Sequence, residues 1–371
     1  MKILHINAGQ EKGGGLFHII NLLTAAQRAG QDFELLCLSE GPVAEAAKAH
    51  QLPVHVLGAK SRYDLLALRK LRHFINQGGY DLVHTHGARA NLFVDLIHQH
   101  LSVPWVITVH SDPLEDFAGR GAIGRMFTKL NLRSLRDADR ILAITERFRQ
   151  QLIDQVGLPP EQLRVIYNGI DFCPDSEVPA KYAHQGFNLL NVARMEPVKR
   201  LDLLIRAVAD LNQPELHLHL VGDGSQKAEL QSLARDLGIS EQVIFHGFLS
   251  HAAIKELDRK MDGFALSSES ESFPLVLLEA SNQLLPLVST QVGDMKKMIP
   301  DAQHGFIEEI NNLGSLEWAL KQLLSLSPAE RQRMAATEKA YLAENFSLDR
   351  QLAMIINDYQ ELGVGKDAKT E

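Results

Sequence analysis

Along the chain, short apolar runs alternate with longer stretches in which apolar residues return every three or four positions. KILHIN, FELLCLS, VHVL, DLVHTH, WVITVH and RILAIT are runs of the first kind and predict strands. Segments beginning near Gly15, Val43, Asp64, Arg89, Ala122 and Glu146 carry the second spacing and predict helices. Such alternation builds a parallel sheet covered on both faces. It stops around RVIYNGIDF, gives way to the polar CPDSEVPAKYAHQG, and resumes with FNLLNVA, LHLHLVG, VIFHGF, GFALSS, PLVST and HGFIEE. The expected fold class is therefore α/β, with two doubly wound domains facing one another across a cleft. Residues 1–171 form the first domain, 172–186 a linker and 187–345 the second domain. In 346–371, a helix from near Ser347 to near Gly363 packs back toward the first domain and VGKDAKTE frays. Ligands of such sheets bind beyond the carboxyl ends of the strands.

Composition changes this picture little. The chain has 371 residues, enough for two cores, with 45% hydrophobic and 23% charged residues. No run approaches the roughly 18 apolar residues of a membrane span, and the N-terminus lacks the apolar core of a secretory signal, so a cytosolic protein is expected. Cys37 and Cys173 show no metal or redox spacing. Charge is more informative. Residues 1–171 hold 19 Lys and Arg against 17 Asp and Glu, whereas 172–371 hold 19 against 29. The acidic second half disfavours nucleic acid, and the first half is compatible with an anionic surface.

Candidate chemistry begins with ESFPLVLLEA, which places Glu271 and Glu279 on either side of Pro274. On a continuous helix the two acids would be about 80° apart and about 12 Å apart along the axis, so they are not a side-by-side pair. With Pro274 in the first turn of a helix, Glu271 precedes it and Glu279 lies on its second turn, and the free N–H groups between them favour an anion. KGGGLFHIINLL, from Lys12 to Leu23, sets three glycines between a strand and a helix but fits neither a P-loop nor a dinucleotide fingerprint. NVARMEPVKRLDLL holds Arg194 and Lys199 in a loop before a helix starting near Arg200, where two cations can stabilise a diphosphate. VGDGSQ and FHGFL also fall at carboxyl ends of predicted strands. No metal site is expected. Asp137–Asp139 lies at a helix end, and His84 and His86 share a strand face with no third ligand visible in the sequence.

Taken in order, the glycine loop, DLVHTHG, TVH, DADRILAIT, VIYNGID, the Arg194/Lys199 loop, VGDG, HGFL and E-x7-E followed by EASNQLLPLVSTQVGD resemble the retaining nucleotide-sugar glycosyltransferases of family 4, with their two Rossmann-like domains in the GT-B architecture. The resemblance covers nearly the whole chain. It implies that Arg194 and Lys199 hold the donor diphosphate, that Glu271 accepts hydrogen bonds from the transferred sugar, and that Glu279 binds the ribose. It implies further that main chain at Gly14, Gly15, Gly222, Phe273, Pro274 and Leu275 faces the donor, that Phe248 and Leu249 present main chain to the base, and that His110 reaches the donor sugar. In the front-face mechanism inferred for that family, the leaving diphosphate helps accept the acceptor's proton, and neither cofactor nor metal is implied. A UDP-sugar is the favoured donor by this analogy. Departures lie at Leu284, where the family usually has glycine and a reshaped loop is expected, at Lys297, where it usually has an acid, and at Ser272, which replaces a frequent glycine.

The segment GRGAIGRMFTKLNLRSLRDADR carries Arg120, Arg125, Lys129, Arg133 and Arg136, with Ile123, Met126, Phe127, Leu130 and Leu135 at helical spacing. It predicts a basic amphipathic helix suited to the inner face of a membrane, with Lys60, Arg62, Arg69, Lys70 and Arg72 as a second basic patch. The acceptor would then be a saccharide or lipid-linked saccharide of a cell-envelope or exopolysaccharide pathway. Two other functions fit the same architecture, a nucleotide-sugar epimerase and a non-catalytic sugar-binding accessory protein. The joint presence of His110, Arg194, Lys199, Glu271 and Glu279 favours transfer.

Overall fold

Alternation of side chains across each strand explains why the first sheet has two apolar faces. In the computed structural model, which describes residues 1–11, 13–59, 64–117, 119–178, 181 and 184–364, the first unit comprises Met1–Gly169 together with the chain from Leu348. Its strands are β1 (Lys2–Asn7), β2 (Asp32–Cys37), β3 (Val54–Val56), β4 (Leu82–His86), β5 (Trp105–Val109), β6 (Arg140–Ala143) and β7 (Leu163–Val165). All pair in parallel, in the order β3-β2-β1-β4-β5-β6-β7. Helices α1 (Gly14–Arg28), α2 (Pro42–Ala49), α3 (Leu65–Gln77), α4 (Ala88–Asp95), α5 (Gly121–Asp137) and α6 (Glu146–Gln151) connect them. Leu4 and Ile6 of β1 pack with Leu71 and Ile75 of α3 and Phe93 of α4, while Ile3 packs with Ile19 and Leu22 of α1 on the opposite face.

The second unit, Ile170–Ser347, repeats the plan. Strands β8 (Phe187–Val192), β9 (Leu216–Val221), β10 (Val243–Gly247), β11 (Gly263–Leu266), β12 (Leu287–Thr290) and β13 (Phe306–Glu308) run parallel in the order β10-β9-β8-β11-β12-β13. Helices α7 (Leu201–Leu211), α8 (Lys227–Asp236), α9 (His251–Asp258), α10 (Leu275–Asn282), α11 (Met295–Met298), α12 (Leu313–Ser325) and α13 (Pro328–Phe346) accompany them. Leu204, Ile205 and Val208 of α7 and Leu316 and Leu320 of α12 close one core with Leu189 and Leu218. A capping box between Ser327 and Glu330 starts α13. Helix α14 (Leu348–Glu361) belongs to the first unit, where Leu352, Ile355 and Tyr359 join the core around Ile3.

Three expectations need correction. The described part of the stretch read as a linker, 172–186, lies in the second unit, so the unit boundaries fall after Gly169 and Ser347. Its polar groups bond within that unit, since Cys173 N donates to Asn282 Oδ1 at 3.0 Å and Lys181 Nζ to the carbonyls of Asp258 and Gln283. Leu284 does not reshape its loop. It takes the left-handed conformation itself, with φ 55°, while Leu285 N bonds Ala280 O and Leu284 N bonds Ser281 O in the manner of a glycine-ended helix. Keeping a leucine there costs about 1 kcal/mol or more. In α5 the apolar stripe expected to face a membrane is divided, since Phe127 and Leu135 are buried in the fold while Ile123 and Met126 stand exposed beside Arg125 and Lys129. Lys12, Lys60, Arg62 and the tail from 365 lie outside the described residues.

Candidate active site

Strand order decides where each sheet can hold a ligand. In the second unit the connections reverse direction between β8 and β11, which opens a crevice beyond their carboxyl ends. The loop after β8 carries Arg194, exposed, and then a single turn, Pro197–Lys199. The loop after β11 carries Ser268 and Glu271. These loops are fastened together: Ser267 Oγ donates to Lys199 O at 2.9 Å and Glu269 N to Val198 O at 2.8 Å. Lys199 Nζ consequently donates to Glu271 Oε1 at 2.6 Å, and Ser268 Oγ donates to the same oxygen at 2.6 Å. Both side chains are more than four-fifths buried, at 16% and 12% exposure, so the pair is shielded from solvent screening.

Glu279 lies on the second turn of α10, as expected, but Pro274 is the residue capping the helix rather than its first member. Leu275 N donates to Phe273 O at 3.1 Å, so this amide, expected to face a ligand, is engaged within the turn. The Phe273 ring lies 5.9 Å from that of Phe346. Burial raises the Glu279 carboxyl, partly opposed by His251 at the start of α9. Phe248 and Leu249 precede that helix, Phe248 being 85% exposed and Leu249 half-buried. The two acids of ESFPLVLLEA thus have different company, Glu271 with a lysine and Glu279 with α9.

Gly222 and Gly224 make room for the Arg194 loop. A Cβ on Gly222, whose φ is 132°, would collide with Ala193 O, and one on Gly224 would meet the Met195 backbone at 2.5 Å. Met195 N donates to Asp223 O and Gln226 N to Met195 O, both at 2.9 Å. Gly222→Ala is therefore expected to cost about 2 kcal/mol or more, read as a lower melting temperature.

In the first unit, Gly14 and Gly15 open α1, and β1 is rich in polar groups on the face that α1 covers. His5 Nδ1 lies 3.0 Å from His86 Nε2, and His86 Nδ1 lies 3.1 Å from His110 Nε2. His84 contacts Thr108 Oγ1 and the Tyr359 hydroxyl, and His18 Nδ1 lies 2.7 Å from Asn168 Oδ1. Burial holds all five imidazoles neutral, pushing His5 down to about 3 and His18 to about 4. The third ligands not visible beside His84 and His86 are present in space. Nitrogens of His5, His84 and His86, and of His18, His86 and His110, lie within 4.8 Å of one another among the described residues. Strand spacing shows only neighbours on β4, whereas β1, α1 and the end of β5 supply the others. Because the close nitrogens are already hydrogen-bonded in pairs, the cluster is internally satisfied at most of its atoms.

Residues 12–172 match the profile described as Glycosyltransferase Family 4, and residues 178–341 that described as Glycosyl transferases group 1. The two matches fall on separate segments, the first almost wholly in the first unit and the second within the second unit. A D-inositol 3-phosphate glycosyltransferase from Salinispora tropica is 30% identical over 312 residues, which are 76% of this chain and 64% of that protein. The chain thus spans less than two thirds of that relative. An alpha-D-kanosaminyltransferase from Streptomyces kanamyceticus is 26% identical over 339 residues, 83% of this chain and 84% of its own. Anabaena HepE, solved in complex with UDP, superposes with a TM-score of 0.82 at 20% identity, covering 97% of this chain and 100% of that one. The two parallel sheets of this chain are accordingly the Rossmann-like domains of the GT-B fold.

Two residues of the candidate site escape the sequence patterns. Ser268 completes the Glu271 contact, and the serine pair of GFALSS directly after an apolar strand was the available signal. Glu11 stands just before the glycines of the first unit, and its carboxyl lies against Gly15 and Gly87. Nothing in its sequence context marks it.

Proposed function

We propose that the chain is a retaining hexosyltransferase that moves a sugar from a nucleotide-diphosphate donor, with a UDP-sugar favoured, to a saccharide or lipid-linked saccharide acceptor in cell-envelope or exopolysaccharide synthesis. The Lys199–Glu271 pair at the switch point of the second sheet carries this reading. As a glycosyl bond breaks, negative charge grows on the departing diphosphate, and an ammonium fixed in a partly dehydrated loop stabilises it without reorganising. Arg194, on the same loop, adds a second cation. Glu271, shared between Lys199 and Ser268, is an acceptor for hydroxyls of the sugar, and Glu279 for those of the ribose. HepE supports the nucleotide by its bound UDP. The chemistry uses no metal in this proposal.

The same reading makes the protein peripheral to the inner membrane face. Among the described residues no helix is long and apolar enough to cross a membrane. Exposed Ile123 and Met126 between Arg120, Arg125 and Lys129 give α5 an apolar, cationic outer side.

UDP at about 100 times its dissociation constant should stabilise the protein by about 2.7 kcal/mol, seen as a raised melting temperature. UDP-sugars should also be hydrolysed slowly without acceptor. No thermal shift from UDP or any other nucleoside diphosphate would remove the donor assignment, and epimerised donor would replace transfer with epimerisation.

A further inference from the structure

The first sheet has its own reversal of direction, between β1 and β4, and a cavity of about 820 Å³ lies beyond the carboxyl ends there. Its wall combines the loop after β1 (Glu11), the start of α4 (Arg89), the segment after β5 (Asp116, Phe117) and α5 (Phe127, Asn131). This volume suits a small organic ligand. Two acids and two arginines, Arg120 being the second, leave the lining formally neutral. Aromatic surface at Phe117 and Phe127 accompanies polar groups at Ser39, Ser111 and Asn131. A neutral ring with one apolar face and several hydroxyls matches such a wall better than an anion or a cation does.

Glu11 gives the cavity its sharpest feature. Its Oε2 is buried and has no hydrogen-bond partner among the described residues. A Cβ on Gly15 would come within 2.8 Å of Oε2, and one on Gly87, at φ 87°, would collide with Oε1. Glycine at both positions therefore lets this carboxyl occupy the switch point, which explains Gly15 and Gly87 without a phosphate. Leaving a buried carboxyl oxygen unpaired costs about 1–3 kcal/mol, and here the carboxyl lines a cavity from which a ligand can supply the partner. Burial is the main influence on the group and raises it to about 7, with Asp116 adding to the rise and the Asn7 side chain opposing it.

Building on the acceptor assigned to this glycosyltransferase, we propose that the cavity binds a neutral polyhydroxylated ring, a sugar or cyclitol, and that Glu11 Oε2 accepts a hydrogen bond from one ring hydroxyl. Glu11 is then a residue that orients and selects the acceptor. The hydroxyl supplies the missing partner, and the apolar face of the ring covers the phenylalanines.

The test uses the full chain with methyl α-glucoside, methyl α-galactoside, methyl α-N-acetylglucosaminide and myo-inositol as probes, with binding read by saturation-transfer NMR between about pH 6 and about pH 8. The UDP thermal shift, recorded separately, reports the donor reading and the folded state of each variant. Wild type should bind at least one probe. Glu11→Ala should weaken that binding at least tenfold, and Glu11→Gln, which keeps an acceptor oxygen, by much less. Wild-type affinity should rise with pH as the carboxyl ionises, because an anion is the stronger acceptor. That slope should shrink in Glu11→Gln, although Asp116, Arg89 and Arg120 in the wall and Cys37 on β2 are still present. Silence of wild type toward all four probes, undiminished binding by Glu11→Ala, or an unchanged pH slope in Glu11→Gln would each overturn the proposal. A missing UDP shift alone would overturn only the donor reading.

Discussion

Lys199→Ala and Glu271→Ala are each expected to lower sugar transfer by about two to three orders of magnitude, the loss typical of removing one preorganised group from a developing charge. Lys199 and Glu271 contact one another at 2.6 Å with little solvent between them, so each single change also strands the opposite partner. Removing one member of such a pair destabilises by about 3 kcal/mol when burial is complete, and by less at this partial burial. Melting curves must therefore accompany the kinetics. Lys199→Met with Glu271→Leu removes both charges together and should recover stability without recovering transfer. That split separates a chemical role from a structural one, because a merely structural pair would regain activity with the fold. Both single variants turning over UDP-sugar at the wild-type rate would end the assignment.

The second large effect concerns pH and stability in the second unit. Glu308 and Glu338 are 3% and 0% exposed, and neither carboxyl has a hydrogen-bond partner among the described residues. Burial raises both to about 9, with Asp301 adding to the rise at Glu338. Their ordinary value is 4.5. An acid raised on folding contributes stability fully below its unfolded value, and that contribution is lost as pH rises toward the folded value. Over the window from about pH 5 to about pH 8, each carboxyl can withdraw up to about 4 kcal/mol, at about 1.4 kcal/mol per unit. Glu338→Gln and Glu308→Gln should therefore melt less steeply with rising pH than wild type, and the double variant least steeply. Parallel melting-temperature curves for all four proteins would show that these carboxyls ionise freely in the fold.

The signal for Glu338 was present in the sequence, although composition conceals it. Met334, Glu338, Leu342 and Phe346 recur every four residues, and all four are buried on α13. Periodicity therefore assigns the acid to an inner face. For Glu308 only its place in the strand HGFIEE is available, and a strand end gives no such assignment.

Sequence alone determined the elements and the two-part plan, because burying one stripe of a helix or both faces of a strand requires local spacings that can be counted. It placed β1 through β6 and β8 through β13 to within about two residues at each end but not the short edge strand β7, located the cations at Arg194 and Lys199, and separated Glu271 from Glu279 by the start of a helix. Tertiary structure decided which of these residues meet. Strand order brings the loop after β8 to the loop after β11 and the loop after β1 to the loop after β4, and alternation of strands and helices is equally compatible with other orders. Hence the contact of Lys199 with Glu271, the histidine cluster around His86, and the seating of Glu11 between Gly15 and Gly87 belong to the fold. They depend on distances between segments remote in the chain, which no local pattern of apolar and polar residues encodes.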